Sequence, residues 1–217
     1  MRLILLLLRP IFYLLYHQFA WTYDFVAAVV SLGQWKDWVL TAPPYIEGRC
    51  VLELGHGPGH LQLVLNERGI QVFGLDKSKY MGRQASRRLR EKGFALRLSR
   101  GCAQFLPFPK TAFDTLVATF PAEYILDPRS LDEAHRVLVP GGRLVVLPLA
   151  WITGKHVLER LMAWLFRVTG EVTGAPGELP AAVKDRFTRA GFEVRKETVR
   201  LRSSTVLVIV ATKRPGF

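Results

Sequence analysis

Short apolar runs that end in polar or glycine-rich stretches alternate with segments of helical spacing through the middle of the chain. Apolar runs predict buried strands at residues 51–54, 71–76 and 113–119. A helical pattern from His60 to Arg68, closed by Gly69, lies between the first two. This succession of strand, glycine turn and helix is typical of a doubly wound α/β sheet.

The C-terminal third predicts two neighbouring strands joined as a hairpin. Residues 192–199 alternate between apolar and polar, as a half-exposed strand does, whereas residues 205–211 are apolar throughout, as a buried strand is. The short polar link between them suits a hairpin. Two helices are predicted between residues 155 and 190, with a break at the glycine- and proline-rich stretch from Gly170 to Pro180.

The turn after the first predicted strand carries the clearest candidate chemistry. Its three glycines alternate with other residues: Gly55, Gly57 and Gly59. Such a turn before a helix lets the backbone approach a ligand closely, although a turn without a ligand is the alternative. A dinucleotide fingerprint needs its third glycine where this chain has His60. Asp76, which ends the second strand, could accept both ribose hydroxyls of an adenosine or could cap the following helix.

The spacing Glu-x-Gly-x-Gly-x-Gly from Glu53 to Gly59 resembles motif I of the class I S-adenosylmethionine (SAM) methyltransferases. Later segments resemble the same family in the correct order: Gly74–Met81, Gly101–Phe108, Phe113–Thr119 and Arg136–Leu147. The resemblance is to the small-molecule branch that includes quinone-biosynthesis and phospholipid methyltransferases. It implies an α/β fold with a doubly wound, seven-stranded Rossmann-like sheet, a final antiparallel strand, N-terminal helices, and SAM as the cofactor.

The resemblance also implies roles for individual residues. The family's glycines pass beneath the methionine part of SAM, the acid at Glu53 lies near its ammonium group, and Asp76 binds the ribose. Cys102 stands where the family usually has Asp, so a weak acceptor would face the adenine, while the backbone of Ala103 could still reach a ring nitrogen. Met81 would pack near the adenine or belong only to the core. The expected cofactor-binding residues are Tyr23, Glu53, Gly55, Gly57, Gly59, Asp76, Lys77, Met81, Cys102, Ala103 and Thr119.

The sequence does not identify a catalytic base. Methyl transfer from a sulfonium is an in-line displacement, so the protein must align the reactants, exclude water and, where needed, take a proton. The segment after the fourth strand would border the methyl group, which makes Glu123 and Tyr124 candidates, with His17 as a third. A helix cap, packing and a structural histidine are the respective alternatives. No Cys/His cluster has zinc spacing, so no metal is predicted.

The first 21 residues are unusually apolar and aromatic. The apolar run at residues 3–8 is interrupted at Arg9 and Pro10, and neither part reaches the ~20 apolar residues that a spanning helix needs. With Arg2 and Arg9 as basic flanks, the pattern favours an interfacial segment; a lid and an oligomer contact are the alternatives. The broad apolar face at residues 156–168 fits either an interface or the core. We expect a helical lid or membrane-contact segment at residues 1–40 and a SAM-binding domain at residues 41–217.

Composition and charge define the expected partners. The chain has 217 residues, 49% of them hydrophobic, which is enough for one α/β domain of this size. The net charge of +12 is concentrated between residues 77 and 100, where Lys79, Arg83 and Arg87 share a helix face that is either solvated or attracts phosphates. An anionic membrane surface is favoured over nucleic acid, because apolar segments accompany the charge. Two cysteines without a disulfide framework suit a reducing compartment, and together with the apolar segment and the basic face they predict a cytoplasmic, peripherally membrane-associated protein.

Two functions remain open on this basis. The first is SAM-dependent methyl transfer to a lipophilic small molecule, either a quinone precursor or a lipid head group, at a membrane surface. The second is a methyltransferase-like, non-catalytic scaffold that acts as a membrane or protein adaptor. Cys102 favours the scaffold, whereas Glu53, the three glycines and Asp76 favour the enzyme. The sequence leaves the oligomeric state open.

Overall fold

The computed structural model describes residue 31 and residues 33–121, 123–153 and 179–214, with the side chain of Glu123 excepted. Several features predicted above lie outside the described residues: His17, Tyr23, the apolar segment at residues 1–21 and the helix at residues 156–168.

The described residues form an α/β fold. The strands are β1 (Cys50–Leu54), β2 (Gln71–Asp76), β3 (Leu98–Arg100), β4 (Phe113–Thr119), β5 (Leu138–Leu147), β6 (Ala150–Ile152), β7 (Phe192–Arg200) and β8 (Ser204–Lys213). The α-helices are α1 (Trp35–Val39), α2 (His60–Glu67), α3 (Lys79–Glu91), α4 (Pro128–Val137) and α5 (Ala181–Arg189), with short 3-10 helices at Pro43–Tyr45 and Glu123–Leu126. The strands predicted from apolar runs are confirmed; β6 is three residues long and was not predicted.

The strands form one sheet in which β3, β2, β1, β4, β5 and β8 are successive neighbours and β7 pairs with β8. The first five of these are parallel, and β8 is antiparallel to both β5 and β7. The short β6 pairs with the first residues of β8. It lies on the same side of β8 as β5, which pairs with residues further along that strand. The predicted seven-stranded, doubly wound sheet with an antiparallel final strand is therefore confirmed, with β6 as a short addition.

Two apolar layers cover the faces of the sheet, and β8 shows how they divide. Leu207, Ile209 and Ala211 of β8 belong to one core cluster, whereas the residues between them belong to the other. Since successive side chains of a strand point to opposite faces, this strand must be apolar throughout, as its sequence is. Helices α4 and α5 contribute to the first layer, and α1 and α2 to the second.

The Pro-Gly-Gly segment at residues 140–142 lies within β5. The register between β4 and β5 shifts between Phe113 and Thr115, so that residues 139–142 bulge from the ladder. Gly141 has a φ of +75°, which a glycine adopts without strain. The strand therefore begins before these turn-forming residues and continues after them.

The short helix α1 is tied to the last described strand. The indole N–H of Trp38 donates to the hydroxyl of Ser204 at 2.8 Å, and both side chains are buried. Trp35 and Trp38 also pack against Phe120, which directly follows β4, with ring centroids 4.7 and 5.9 Å away. Helix α1 therefore lies against the end of β4 as well as the start of β8.

Candidate functional site

The carboxyl ends of β1 and β4 meet at the point where the strand order reverses. From β1 the chain continues to β2 and β3 on one side, whereas β4 and β5 lie on the other. Loops that leave this point diverge to opposite sides and open a crevice, which is where doubly wound sheets bind ligands. The glycine turn follows β1 and Phe120 follows β4, so both segments border the crevice.

The three glycines of the turn adopt left-handed backbone conformations, with φ of +70° at Gly55, +53° at Gly57 and +82° at Gly59. A Cβ at Gly55 would lie 2.6 Å from the hydroxyl of Tyr124, and one at Gly59 would lie 2.8 Å from Cβ of Ala85. A Cβ at Gly57 would meet no atom within 4 Å. The first and third glycines therefore allow close packing within the protein, while the second faces open space.

Glu53 is buried beneath this turn with 1% of its surface exposed. The side-chain amide of Gln62 donates to it at 2.8 Å and also to the carbonyl of Phe73 at 3.1 Å. Burial raises the pKa of the Glu53 carboxyl to about 8, against the opposing effect of the Gln62 hydrogen bond. The carboxyl is therefore mostly protonated at neutral pH, and a cation placed beside it would favour its ionised form.

The carboxylate of Asp76 organises the junction between the glycine turn and α3. One oxygen accepts the backbone N–H of Gly57 at 2.9 Å, and the other accepts that of Ser78 at 2.7 Å. The hydroxyl of Ser78 in turn accepts the N–H of Met81 and caps α3. The helix cap predicted as the alternative role of Asp76 therefore belongs to Ser78, and Asp76 fixes the segment before it.

The segment from Gly101 to Ala103 lies beside Asp76. The N–H of Gly101 donates to the Asp76 carbonyl at 3.1 Å, the side chain of Cys102 is half-buried, and Ala103 is buried. Beyond it, the N–H of Leu106 donates to Glu133 of α4 at 2.7 Å, which anchors the loop. The structure therefore brings the predicted ribose and adenine segments together at the ends of β2 and β3.

The remaining predicted cofactor residues lie around the same edge of the sheet. Lys77 is exposed, and its carbonyl accepts Nε of Arg100 at 3.1 Å. Met81 is buried in the first turn of α3. Thr119 is the half-buried last residue of β4.

The segment after β4 crosses over the glycine turn. The hydroxyl of Tyr124 donates to the carbonyl of Leu54 at 3.1 Å. Burial raises the pKa of the Tyr124 hydroxyl, and the nearby carboxyls of Asp76 and Glu53 raise it further. This environment keeps the phenol protonated and suits a hydrogen-bond donor better than a base. Glu123 begins the 3-10 helix that carries Tyr124.

The described residues hold no group of three or more His, Cys, Asp or Glu side chains that could bind a metal ion. In the same part of the chain, no helix is long and apolar enough to cross a membrane.

Comparison with known proteins identifies the family. Residues 52–146 match the model of a methyltransferase domain. The chain is 31% identical over 209 residues to the demethylmenaquinone methyltransferase of Thermus thermophilus, covering 84% of this chain and 93% of the relative. The chain belongs to the class I SAM-dependent methyltransferases.

Two further comparisons agree with this assignment. The ubiquinone/menaquinone biosynthesis C-methyltransferase UbiE of Yersinia pestis is 32% identical over 194 residues, which cover 83% of this methyltransferase and 74% of the relative. A SAM-dependent methyltransferase of Methanosarcina mazei has a similar solved structure, with a TM-score of 0.56 at 24% identity, covering 79% of this chain and 95% of that one. The cofactor is SAM, and these relatives do not favour a non-catalytic scaffold.

The geometry of the methyltransferase fits this cofactor. Gly57 leaves space above the turn, Glu53 offers a carboxyl beneath it, and Asp76 presents a carboxylate at the neighbouring strand end. Bound SAM supplies a methyl group on a sulfonium, and the chain's own residues align it and keep water out. The glycine spacing and Asp76 were the signals that located this site from the sequence.

Sequence reasoning missed two residues of the site, His56 and Gln62. His56 lies within the glycine turn, is 4% exposed, and its Nδ1 lies 2.7 Å from the Gly57 carbonyl. Burial lowers the pKa of the imidazole, with the Asp76 carboxylate opposing this effect. Because a carbonyl oxygen only accepts, Nδ1–H is the donor of this hydrogen bond. Gly74 of β2 makes room for it, since a Cβ there would lie 2.8 Å from Cδ2 of His56. No local sequence signal marks either residue, because both act through contacts across the fold.

Proposed function

We propose that this methyltransferase transfers the methyl group of SAM to a lipophilic quinone precursor, with a lipid head group as the second acceptor class. The observation that carries the proposal is the similarity to the demethylmenaquinone methyltransferase of Thermus thermophilus, which extends over 93% of that relative. The UbiE relatives, named for ubiquinone/menaquinone biosynthesis, support the same acceptor class.

In this proposal the cofactor lies over the glycine turn. The ammonium of SAM is placed near Glu53, its ribose near Asp76 and Lys77, and its adenine near Met81, Cys102 and Ala103. The half-buried Cys102 leaves the adenine amino group with a weak acceptor, so the backbone of Ala103 carries more of the recognition. Tyr23 is proposed to reach the SAM carboxylate.

The acceptor is proposed to enter from the end of β4, where Thr119 and Phe120 border the crevice. Phe120 has a φ of +49°, a conformation that costs a bulky side chain free energy and is found preferentially at functional sites. Tyr124 then serves as a donor that holds the glycine turn. Glu123 and His17 remain the candidates for a base.

Incubation with reduced lipid extract and methyl-labelled SAM, followed by mass spectrometry, tests the acceptor. We expect the label in the quinone fraction, and Gly57→Val to remove it because a side chain would fill the cofactor's space. Label in the phospholipid fraction alone would assign the second acceptor class. Bound SAM without labelled lipid of either class would contradict the proposed function.

A peripheral position at a membrane is the second part of the proposal. The apolar residues 1–21 and the basic face of α3 at Lys79, Arg83 and Arg87 support a cytoplasmic protein that binds an anionic bilayer surface without spanning it. Salt screens only the charged part of this interaction, so high salt should weaken binding without abolishing it. No contact with nucleic acid is proposed.

Vesicle flotation of the full-length chain and of a chain lacking residues 1–10 tests this part. We expect the shortened chain to stay in solution and to keep its SAM affinity. If the full-length chain also stays in solution with anionic vesicles at low salt, residues 1–40 are a lid or an oligomer contact instead.

A further inference from the structure

A concave basic surface lies between α3 and the edge strand β3, beside Asp76. It encloses about 590 Å³ and is lined on one side by α3 and on the other by the end of β3. We name it the basic cavity after its five cationic side chains: Lys79, Arg83, Arg87, Arg90 and Arg100. The cavity is adjacent to the cofactor site, because His56 of the glycine turn and Asp76 are among its lining residues.

The cations of the basic cavity come from two elements and converge. The helix places Lys79, Arg83 and Arg87 on one face, since they are four residues apart. Arg100 approaches from β3, and its Nε is bound to the carbonyl of Lys77 at 3.1 Å. Hydroxyl groups also line the cavity: Ser78, Ser86 and Ser99. If these cations formed only a solvent-exposed helix face, all of them would belong to α3 and no cation of a second element would lie opposite them.

Two carboxylates, Asp76 and Glu91, line the basic cavity and offset only part of the charge of its five cations. Both oxygens of Asp76 accept backbone N–H groups, from Gly57 and Ser78. The carboxylate of Glu91 lies 3.8 Å from Nε of Arg87. Within the described residues, no carboxylate forms an ion pair with Lys79, Arg83, Arg90 or Arg100.

Arginines elsewhere on the described surface form ion pairs with carboxylates, as Arg87 does with Glu91, whereas the other four cations of the basic cavity form none with a described residue. Several lie within 4 Å of a carboxylate: Arg143 with Glu47 at 2.6 Å, Arg195 with Glu197 at 3.2 Å, and Arg189 with Asp185 at 3.9 Å. The basic cavity therefore concentrates unneutralised positive charge in a concave site, which raises the local concentration of anions.

We propose that the basic cavity binds a phosphate group, either on a lipid head group or free in solution. A tetrahedral phosphate accepts hydrogen bonds from several directions, which suits guanidinium groups on opposite walls and hydroxyls between them. The proposal does not depend on methyl transfer, because it concerns the binding of an anion by the cations of α3 and β3 and its test measures that binding directly. A phosphate there would lie beside the segment that fixes the ribose end of the cofactor.

The test is a titration of the full chain with inorganic phosphate, monitored by NMR. Chloride is removed as phosphate is added, so that the ionic strength stays constant. The cavity variant is Arg83→Gln with Arg100→Gln. Its matched control is Arg200→Gln with Arg202→Gln, which removes the same charge from the exposed end of β7 and the following turn, at the opposite edge of the sheet. Both variants change exposed side chains, and retained thermal unfolding and SAM binding show that each is folded.

In the unchanged chain and in the control, we expect the amide chemical shifts of Ser86 and Ser99 to change and to saturate as phosphate is added. In the cavity variant, we expect a Kd for phosphate that is about tenfold or more higher. A parallel arm uses phosphatidylcholine vesicles with and without phosphatidic acid. Binding to the phosphatidic acid vesicles alone, weakened only in the cavity variant, assigns the phosphate to a lipid head group. The proposal is overturned if both variants weaken phosphate or vesicle binding equally, or if neither the phosphate titration nor the vesicle experiment shows saturable binding. Either result would show a solvated basic surface.

Discussion

At the residue scale, Glu53 shows how burial changes what a carboxyl can do. The side chain is enclosed beneath the glycine turn, and burial raises its pKa to about 8. In the unfolded chain, the Glu53 carboxyl ionises near the ordinary pKa of a glutamate. The free energy of unfolding therefore falls as the pH rises from that ordinary pKa towards 8. A SAM ammonium placed beside Glu53 favours the ionised form, so cofactor binding should release a proton below pH 8.

Replacing Glu53 with Gln tests both effects, because Gln keeps the shape and removes the titration. We expect the free protein to gain stability, more at pH 8 than at pH 5, by thermal unfolding. SAM affinity should fall by about 1–3 kcal/mol and lose its rise with pH, by calorimetry. Glu193→Gln on exposed β7 is the control and should change neither. A SAM affinity of Glu53→Gln equal to that of the unchanged chain would remove Glu53 from the cofactor site.

Cys102 is the second informative residue, because a thiol stands where the resemblance implies a carboxylate. Cys102→Asp should tighten SAM binding by about 1 kcal/mol, since the adenine amino group would gain a charged acceptor. Cys50→Ser serves as the control, because Cys50 begins β1 and lies away from the turn's ligand side. Unchanged SAM affinity in Cys102→Asp would show that the adenine is held by other groups.

At the element scale, the glycine turn combines two kinds of glycine. Gly55 and Gly59 are required because neighbouring side chains leave no space, whereas Gly57 faces open space with a φ of +53°. The sequence shows all three as equivalent, and only the fold separates them. A side chain at Gly57 would strain the backbone without meeting protein atoms, and in the proposed binding mode it would obstruct the cofactor.

The comparison of Gly57→Val with Gly93→Val separates strain from obstruction. Gly93 also has a positive φ, +75°, and open space around it, but it follows α3 far from the turn. Both variants should lose about 1–2 kcal/mol of folding stability through the left-handed backbone. Only Gly57→Val should lose SAM binding, measured by calorimetry on both proteins. Similar SAM affinities in the two variants would mean that the cofactor does not pass over Gly57.

The elements themselves were largely predictable, and the reason is physical. Strands buried on both faces carry mostly apolar runs, so β1, β4 and β8 stand out from the sequence. The three-residue β6 leaves no such signal, because its pairing with the start of β8 depends on where β5 ends. His56 and Gln62 were missed for the same reason: their partners at Gly57 and Glu53 are fixed by the fold. Asp76 was found because its position at a strand end is a local feature.

At the scale of the whole molecule, the site is built from the ends of several strands, so ligand binding should stabilise the entire domain. Glu53 and the glycine turn belong to β1 and its loop, Asp76 to β2, and Thr119 to β4. A ligand that spans these strand ends binds only the folded chain. The gain in unfolding free energy should therefore follow the ligand concentration.

SAM at one hundred times its Kd should stabilise the fold by about 2.7 kcal/mol, and NAD should not. The glycine spacing and the position of Asp76 are the reasons for this difference. Thermal unfolding with each ligand, and with the demethylated product of SAM, measures it. Stabilisation by NAD without stabilisation by SAM would contradict the cofactor assignment.

The hydrogen bond between Trp38 and Ser204 has a consequence for how the protein is made. A ribosome delivers Trp38 early, but the hydroxyl that fixes its indole emerges 166 residues later, in the strand that also supplies a partner for β5 and for β7. Until β8 emerges, the nascent chain exposes the edge of β5, and α1 can pack against Phe120 but lacks its hydrogen bond to Ser204. The hydrogen bond to α1 and the pairings with β5 and β7 thus form only after β8 has been synthesised, which makes completion of this half of the sheet a late step in folding.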